Sequence, residues 1–433
     1  MRRRRLRSES GVTLIDTLVG IGLMMIVFAG IAATFELALD IMANNKARAG
    51  AIALADERME YIHSLSYAAI GTVGGVPSGT IAPSESVSLN GIHYTRRTIV
   101  AYEDDPKDGT GAADANGIVE DYKAVKVDLA WSARGGTRHV TLVSRISPSA
   151  GLETNPCGSP CGTLTIHVVN AAGAALPSAS VAITNAGTSP TISINTFTNA
   201  SGTASVIGAP AATNYHVSVT EAGYSTAQTY PATSQNTNPN PGNLTVSANQ
   251  TTSATFAIDA LGQKSIQLLA WIGGQSTTTM GVVSLSLQGA KTIGTGPSGL
   301  VYKYSSTLAS GANGSLSVPG LEWDTYTIAV PASSGYDIAS ACSPQPEALA
   351  PGASQTSTLY LAAHTANSLL VDVRSSASGS LLPNAFVLIS RSGFSTGTST
   401  DPWGSRFSPA LCLRQITPFQ LAQRVMQLAR RTT

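Results

Sequence analysis

Residues 17–35, TLVGIGLMMIVFAGIAATF, are 19 consecutive positions without a charge. A helix needs about 20 such residues to cross the ~30 Å hydrocarbon layer of a membrane. Five arginines among residues 2–7 precede the run, which predicts a cytoplasmic N-terminus and an exported remainder. One acid, Asp16, stands at the mouth of the apolar segment. A carboxylate there is costly, and such residues usually serve a function. A cleavable secretory signal has an apolar core of only about 7–15 residues followed by small ones. A plain signal anchor accounts for the arginines and the length but leaves Asp16 without a task.

The helical pattern continues past the apolar run. Residues 37–66 contain no proline and one glycine. Leu37, Ile41, Ala51, Leu54, Ala55, Met59, Ile62 and Leu65 recur at spacings that make one apolar stripe. Lys46, Arg48, Asp56, Glu57 and Arg58 fall mostly off it. One helix is therefore expected over residues 12–66, apolar all round at first and amphipathic afterwards. A small antiparallel sheet should follow. Residues 86–103 hold an Asn90-Gly91 turn between strand-like runs. Residues 122–131 alternate, with Val125, Val127 and Leu129 on one side and Lys126 and Asp128 on the other. A Gly135-Gly136 turn leads to a further alternating run at 138–146.

The segment Gly11-Val12-Thr13-Leu14-Ile15-Asp16 resembles the prepilin motif of type IV pilins, and residues 49–67 are similar to minor pilins of the PilV type. The resemblance covers roughly residues 9–150 and departs at two positions, where the family usually has Phe for Val12 and Glu for Asp16. It implies an α+β pilin, a long N-terminal helix on a small antiparallel sheet. A prepilin peptidase would cut after Gly11, leaving residues 1–11 as a cytoplasmic leader, and would methylate the new N-terminus at Val12. The Asp16 carboxylate would offset the buried amine of a neighbouring subunit during assembly. The partners implied are prepilin peptidase, other pilins, the pilus assembly platform and the cytoplasmic membrane.

Between the sheet strands, residues 104–121 crowd acids into a glycine-rich loop. Asp105, Asp108, Asp114 and Asn116 are candidate Ca2+ ligands, since oxygen donors suit that ion. The spacing does not match the twelve-residue EF-hand loop, and a solvated acidic loop is the competing reading. Loops in this part of some pseudopilins do bind Ca2+. No other cofactor is implied. Residues 151–162 read as a linker that closes the pilin domain of 12–150. Cys157 and Cys161 within it are expected to form a disulfide on the exported side of the membrane. A zinc site would need two more ligands than the neighbourhood offers.

Beyond the linker the chain repeats itself. Units at 163–260 and 263–362 and a partial unit at 366–404 share an opening strand, a turn and a small-residue turn with glycine. The first and third units share Leu-Pro-x-Ala-x-Val, at 176–181 and 382–387. The first two share a Tyr-x-Val/Ile strand and a later Gly-Tyr, at 223–224 and 335–336. Short strands between Gly, Pro and Asn turns argue tandem all-β sandwiches. The pattern resembles the carboxypeptidase regulatory-like family, close in shape to collagen-adhesin B-type repeats. Some of those repeats carry an internal Lys–Asn isopeptide. The opening strands GTLTIHVV and SIQLLAWI contain no lysine, so none is expected here. Residues 405–433 have no alternation and no acid, and read as a non-native tail produced by a frameshift.

Charge is segregated. Five arginines lie in 2–7 and five in 405–433, whereas residues 12–404 hold 16 basic and 24 acidic residues. A body of that sign does not favour nucleic acid, whose affinity comes largely from neutralising phosphates. The six histidines are scattered singly, and there is no nucleophile elbow or phosphate loop, so no catalytic residue is assigned and no enzyme activity is expected. Asp324 beside Trp323 reads as a strand end, not as an acid in a sugar site.

The expected function is that of a type IV minor pilin. It would be a tip or initiating subunit displaying its sandwiches for adhesion to an unknown surface ligand, since roughly 250 extra residues would crowd a filament shaft. The alternatives are a pseudopilin of a type II-like secretion system and a membrane-anchored surface protein that never polymerises.

Overall fold

The computed structural model describes residues 14–107, 120–148, 160–272, 275–341, 345–366, 368–391, 394–402 and 404–408. Helix α1 (Leu14–His63) runs for 50 residues, about 75 Å at 1.5 Å per residue. Its C-terminal half lies on a four-stranded antiparallel sheet in the order β1 (Ser84–Leu89), β2 (Ile92–Glu103), β3 (Tyr122–Ala133), β4 (Gly136–Ile146). The β1–β2 hairpin turns at Asn90 and Gly91, whose φ values of 53° and 80° are those of the mirror-image turn that matches strand twist.

The core between α1 and the sheet holds Ala47, Ala51, Leu54, Ala55, Met59 and Ile62 against Tyr94, Val100, Val125, Val127, Leu129 and Trp131. The stripe read from sequence is thus buried from Ala51 to Ile62. Leu37 and Ile41 stay exposed at 61% and 52%, because they precede the part of α1 that the sheet covers.

The first sandwich packs two sheets around one core, with Leu164, Ile166, Val181, Ile183, Val217 and Val219 at its centre. One sheet pairs β5 (Cys161–Val169) with β8 (Thr203–Pro210) and, in parallel, with β13 (Thr251–Ala257). In the other, β6 (Ser180–Asn185) lies between β7 (Ile192–Phe197) and β9 (Ala212–Thr220), and β9 also pairs β10 (Ala227–Gln228) and β12 (Leu244–Val246). Strand β11 (Asn238–Pro239) leaves this unit to pair with the next.

The second sandwich repeats the plan. Strand β14 (Gly262–Trp271) pairs β15 (Gln275–Thr279), β20 (Ser315–Leu321) and, in parallel, β24 (Ser354–Ala363), which in turn pairs β22 (Tyr336–Ala341). Opposite, β16 (Ser284–Gly289) lies between β19 (Ser305–Ala309) and β21 (Asp324–Ala329), and β21 pairs β23 (Glu347–Leu349). Strands β17 (Thr292–Gly296) and β18 (Gly299–Tyr302) form a ribbon with β11. In the third unit β25 (Leu369–Asp372) pairs β28 (Ser405–Ser408), and β26 (Phe386–Arg391) pairs β27 (Phe394–Ser399).

Strand β28 corrects the boundary expected at 405. The turn that feeds it is the same in all three units. Backbone bonds Asn199 N to Thr203 O, Gly311 N to Ser315 O and Asp401 N to Ser405 O close it, and Gly202, Gly314 and Gly404 each adopt φ near 70°, a conformation that glycine takes without strain. Residues 405–408 therefore continue the repeat, and the part of the expected tail from 409 onward lies outside the described residues.

Candidate assembly stem and buried polar sites

The N-terminal half of α1 has no cover in the subunit. Its most apolar stretch has a mean hydropathy of 2.4 and none of it is buried. Leu18, Ile26, Phe28 and Phe35 are all more than half exposed. The hydroxyls of Thr17 and Thr34 donate to the carbonyls of Leu14 and Ile31 at 2.8 and 2.7 Å, so neither adds an unsatisfied polar group to the apolar surface. Among the described residues this is the one helix long and apolar enough to cross a membrane. Asp16 lies in its first turn. Gly11 and Val12 lie outside the described residues, as does the side chain of Asp16.

Where the sheet takes hold of α1, Tyr94 donates its hydroxyl to the carbonyl of Ala47 at 2.9 Å. Arg58 reaches Glu85 at 2.6 Å, and Glu85 also pairs with Arg96 at 3.1 Å. The helix is thus clamped to β1 and β2 from its second half only.

Of the acidic loop, Asp121 accepts the amide of Asp105 at 2.5 Å, and Asp105 accepts that of Lys107 at 3.1 Å. Asp108, Asp114 and Asn116 lie outside the described residues. Among the described residues no group of three or more His, Cys, Asp or Glu side chains is placed to hold a metal. Cys161 is disulfide-bonded; Cys157, its expected partner, lies outside the described residues.

The head docks on the first sandwich. Ser193 N donates to Gly74 O at 2.7 Å, Val76 joins the sandwich core, and Arg97 stacks on Phe197 at 4.6 Å. A cleft of about 400 Å³ at this junction is lined by Tyr67, Tyr102, Glu120, Lys123 and Pro190, among others. Lys123 is only 2% exposed. Its Nζ donates to the carbonyls of Tyr67 and Ile70 at 2.7 Å each and lies 4.5 Å from the Tyr67 ring centre. Burial pushes this ammonium down to about 8, and burial also pushes the Tyr102 and Tyr67 hydroxyls and the Glu120 carboxyl up. The signal was in the sequence: strand alternation puts Lys123 in line with Val125, Val127 and Leu129.

A second buried cation was missed for a simpler reason. The second opening strand begins at Gly262, not Ser265, and so contains Lys264. Lys264 is fully buried and pairs with Glu347, which is 4% exposed. Its Nζ also donates to Gln355 Oε1 at 2.8 Å. Ser357 and Gln345 donate to the two Glu347 oxygens at 2.5 and 2.6 Å. The premise that the opening strands lack lysine is therefore wrong for this unit. The residue facing Lys264 on β24 is Gln355 rather than the asparagine of a Lys–Asn isopeptide.

The three units share one hydroxyl clasp. Thr198 donates to Leu176 O at 2.7 Å and accepts from Ala179 N at 3.0 Å. Ser310 does the same with Gly281 O and Val283 N at 3.1 and 2.9 Å. Thr400 does so with Leu382 O and Ala385 N at 2.8 and 2.9 Å. Asp324, beside Trp323, is used structurally: its carboxylate accepts the amides of Lys291 and Thr325 at 3.0 and 2.7 Å.

Residues 163–259, which make up the first sandwich, match the family of the carboxypeptidase regulatory-like domain. No curated protein matches the chain. Among solved structures, the Bacillus anthracis TIE protein aligns at 14% identity over 76% of this chain and 66% of that one, slightly under two thirds of its length, with a TM-score of 0.19. The streptococcal ancillary pilin aligns at 11% over 54% and 75%, with a TM-score of 0.22. The shaft pilin SpaA of Lactobacillus rhamnosus GG aligns at 14% over 48% and 99%, with a TM-score of 0.19. At such TM-scores these likenesses carry no argument about function.

Proposed function

We propose that the chain is a minor pilin of a type IV filament. Prepilin peptidase cuts between Gly11 and Val12 and methylates Val12. The apolar half of α1 holds the subunit in the cytoplasmic membrane and then becomes its place in the filament core, with Asp16 offsetting a neighbour's terminal amine. The sandwiches face outward at the tip and serve adhesion by display, without catalysis. Ca2+ in the 104–121 loop would stiffen the head beside the junction cleft.

The observation that carries this reading is the division of α1. One face of its second half is buried on the sheet of its own subunit, whereas residues 17–35 are uncharged on every side and uncovered. A lone anchor needs the apolar half. It does not need that half to run without a break into a helix packed on a folded head, which fixes the stem rigidly for packing beside other stems. Substituting Asp16→Ala and separating membranes from sheared filaments tests it. The expected outcome is a processed subunit that stays in the membrane fraction; normal incorporation into filaments would contradict the role of Asp16.

A further inference from the structure

The sheet-facing stripe of α1 runs on past the edge of the sheet. Ala47, Ala51, Leu54 and Ala55 are buried against the strands. Toward the N-terminus the same stripe continues at helical spacing as Asn44, Ile41, Asp40 and Leu37. With the β3–β4 hairpin these residues line a groove of about 380 Å³. Trp131 on β3 and Arg138 on β4 lie directly opposite each other, so both side chains stand on the face turned to α1. Trp131 is 5% exposed. Its Nε1 and the Oδ1 of Asn44 are buried without a hydrogen-bond partner among the described residues, and buried groups of this kind normally have one. Asp40 and Arg138, which also line the groove, form no ion pair among the described residues.

Position says what this groove meets. The uncharged run ends at Phe35. With residues 17–35 across the hydrocarbon, Glu36 to Asp40 occupy roughly the next 7 Å of an upright helix. That is about the depth of one headgroup layer. Arg134, at the tip of the hairpin, reaches Glu36 at 3.6 Å, which sets the tip at the same depth. Segments 108–119 and 149–159, outside the described residues, attach beyond the opposite ends of β3 and β4, about 30 Å from this tip. Held at both ends, each reaches only about 20 Å.

We propose that the groove holds the headgroup of a phospholipid that carries a primary amine, with its phosphate between Arg134 and Arg138 and its ammonium on Asp40. The four charges select this class. Glu36 and Asp40 balance Arg134 and Arg138, so the groove favours a zwitterion over an anionic lipid. The excess of acids over bases in residues 12–404 acts in the same direction. The Arg134–Glu36 pair is exposed on both sides, and such pairs are weak enough to release an arginine to a phosphate. Asp40 then discriminates among zwitterions. A primary ammonium donates hydrogen bonds to a carboxylate, whereas a choline has no N–H to donate. Leu37, exposed and nearest the uncharged run, meets the start of the acyl chains. The site rests on the membrane-held stage of the reading above and does not depend on assembly into filaments.

The test uses the full chain in nanodiscs of equal parts phosphatidylethanolamine and phosphatidylcholine with identical acyl chains. Native mass spectrometry counts the lipids that the released chain retains, and hydrogen exchange locates them. One phosphatidylethanolamine should be retained over phosphatidylcholine by roughly threefold to tenfold, the range expected for hydrogen bonds to a charged group at a partly wetted site. It should protect amides near Asp40 and in the β3–β4 hairpin. Asp40→Asn should keep a retained lipid but bring the preference to about one. Arg134→Gln with Arg138→Gln should lose the retained lipid of both kinds. Near-UV circular dichroism checks that each variant keeps its head folded. Four results overturn the proposal: equal retention of the two lipids, a preference unchanged by Asp40→Asn, displacement of the lipid by an equal concentration of free phosphoethanolamine, and self-association of the chain through the groove. A chain that fails to enter the nanodiscs overturns the membrane reading as well; a chain that enters without a preference overturns this proposal alone.

Discussion

The hydroxyl of Tyr94 on β2 lies 2.9 Å from the carbonyl oxygen of Ala47 on α1, and a Cβ placed on Gly50 would lie 2.6 Å from that same hydroxyl. Glycine in mid-helix costs about 1 kcal/mol relative to alanine. Here the cost is accepted because the tyrosine needs the space, and the close approach fixes where the exposed stem ends and the head begins.

This contact gives a sign reversal. Gly50→Ala alone should destabilise the head by about 1–2 kcal/mol, since the displaced tyrosine loses a buried hydrogen bond and its packing. With Tyr94→Phe, which removes the clashing oxygen, the same change should be neutral or stabilising by up to ~1 kcal/mol. Urea unfolding with hydrogen exchange read on β3 would measure both. A Gly50→Ala penalty unchanged by Tyr94→Phe would show that the clash lies elsewhere.

Lys123 sets a pH dependence. Its folded value of about 8 is below the ordinary 10.5, so the unfolded chain binds the proton more tightly. Stability should therefore rise as pH goes from about 8 to about 10.5, by at most ~3 kcal/mol. The two carbonyls and the tyrosine ring favour the charged form and reduce that figure. Burial holds the Tyr67 and Tyr102 hydroxyls above their ordinary value of 10.0, so near pH 10 and above their ionisation in the unfolded chain opposes the rise, which Lys123→Met retains as the control. Comparing unfolding at pH 8 and pH 10 in the native chain and in Lys123→Met should show the rise in the first and not in the second.

The Lys264–Glu347 pair should behave as a buried ion pair. Lys264→Met leaves Glu347 without its cation and should cost about 3–5 kcal/mol in the second sandwich, whereas Lys264→Met with Glu347→Leu should recover most of the loss. The intact mass should carry no deficit of one ammonia; such a deficit would mean that Lys264 has condensed with Gln355.

The clasp offers a repeat-wide check. Thr198→Val, Ser310→Ala and Thr400→Val each strand a buried backbone amide and should cost about 1–3 kcal/mol in their own unit. Thermal unfolding with hydrogen exchange by unit would show whether the loss stays local, as expected for modules with separate cores.

Much of the architecture was legible. The uncharged run, the Asn90-Gly91 turn and the alternation of 122–131 are local signals, and each became the element it implied. The parallel pairing of β5 with β13 and of β14 with β24 was not legible, because it joins strands about 90 residues apart with no local mark. The clasp could have been found: a hydroxyl residue, three more positions, then Gly and another hydroxyl residue recur at 198–203, 310–315 and 400–405. Lys264 was missed by starting its strand at Ser265. Lys123 was passed over because a cation on the apolar side of a strand was not followed to its carbonyl partners.

The filament reading stands or falls on the N-terminus. Mass spectrometry of the subunit recovered from its native membrane measures it directly. The expected result is a chain that begins at Val12 and carries one N-methyl group, with residues 1–11 gone and the apolar half of α1 intact. An unprocessed N-terminus, or a cut beyond the apolar run, would contradict it.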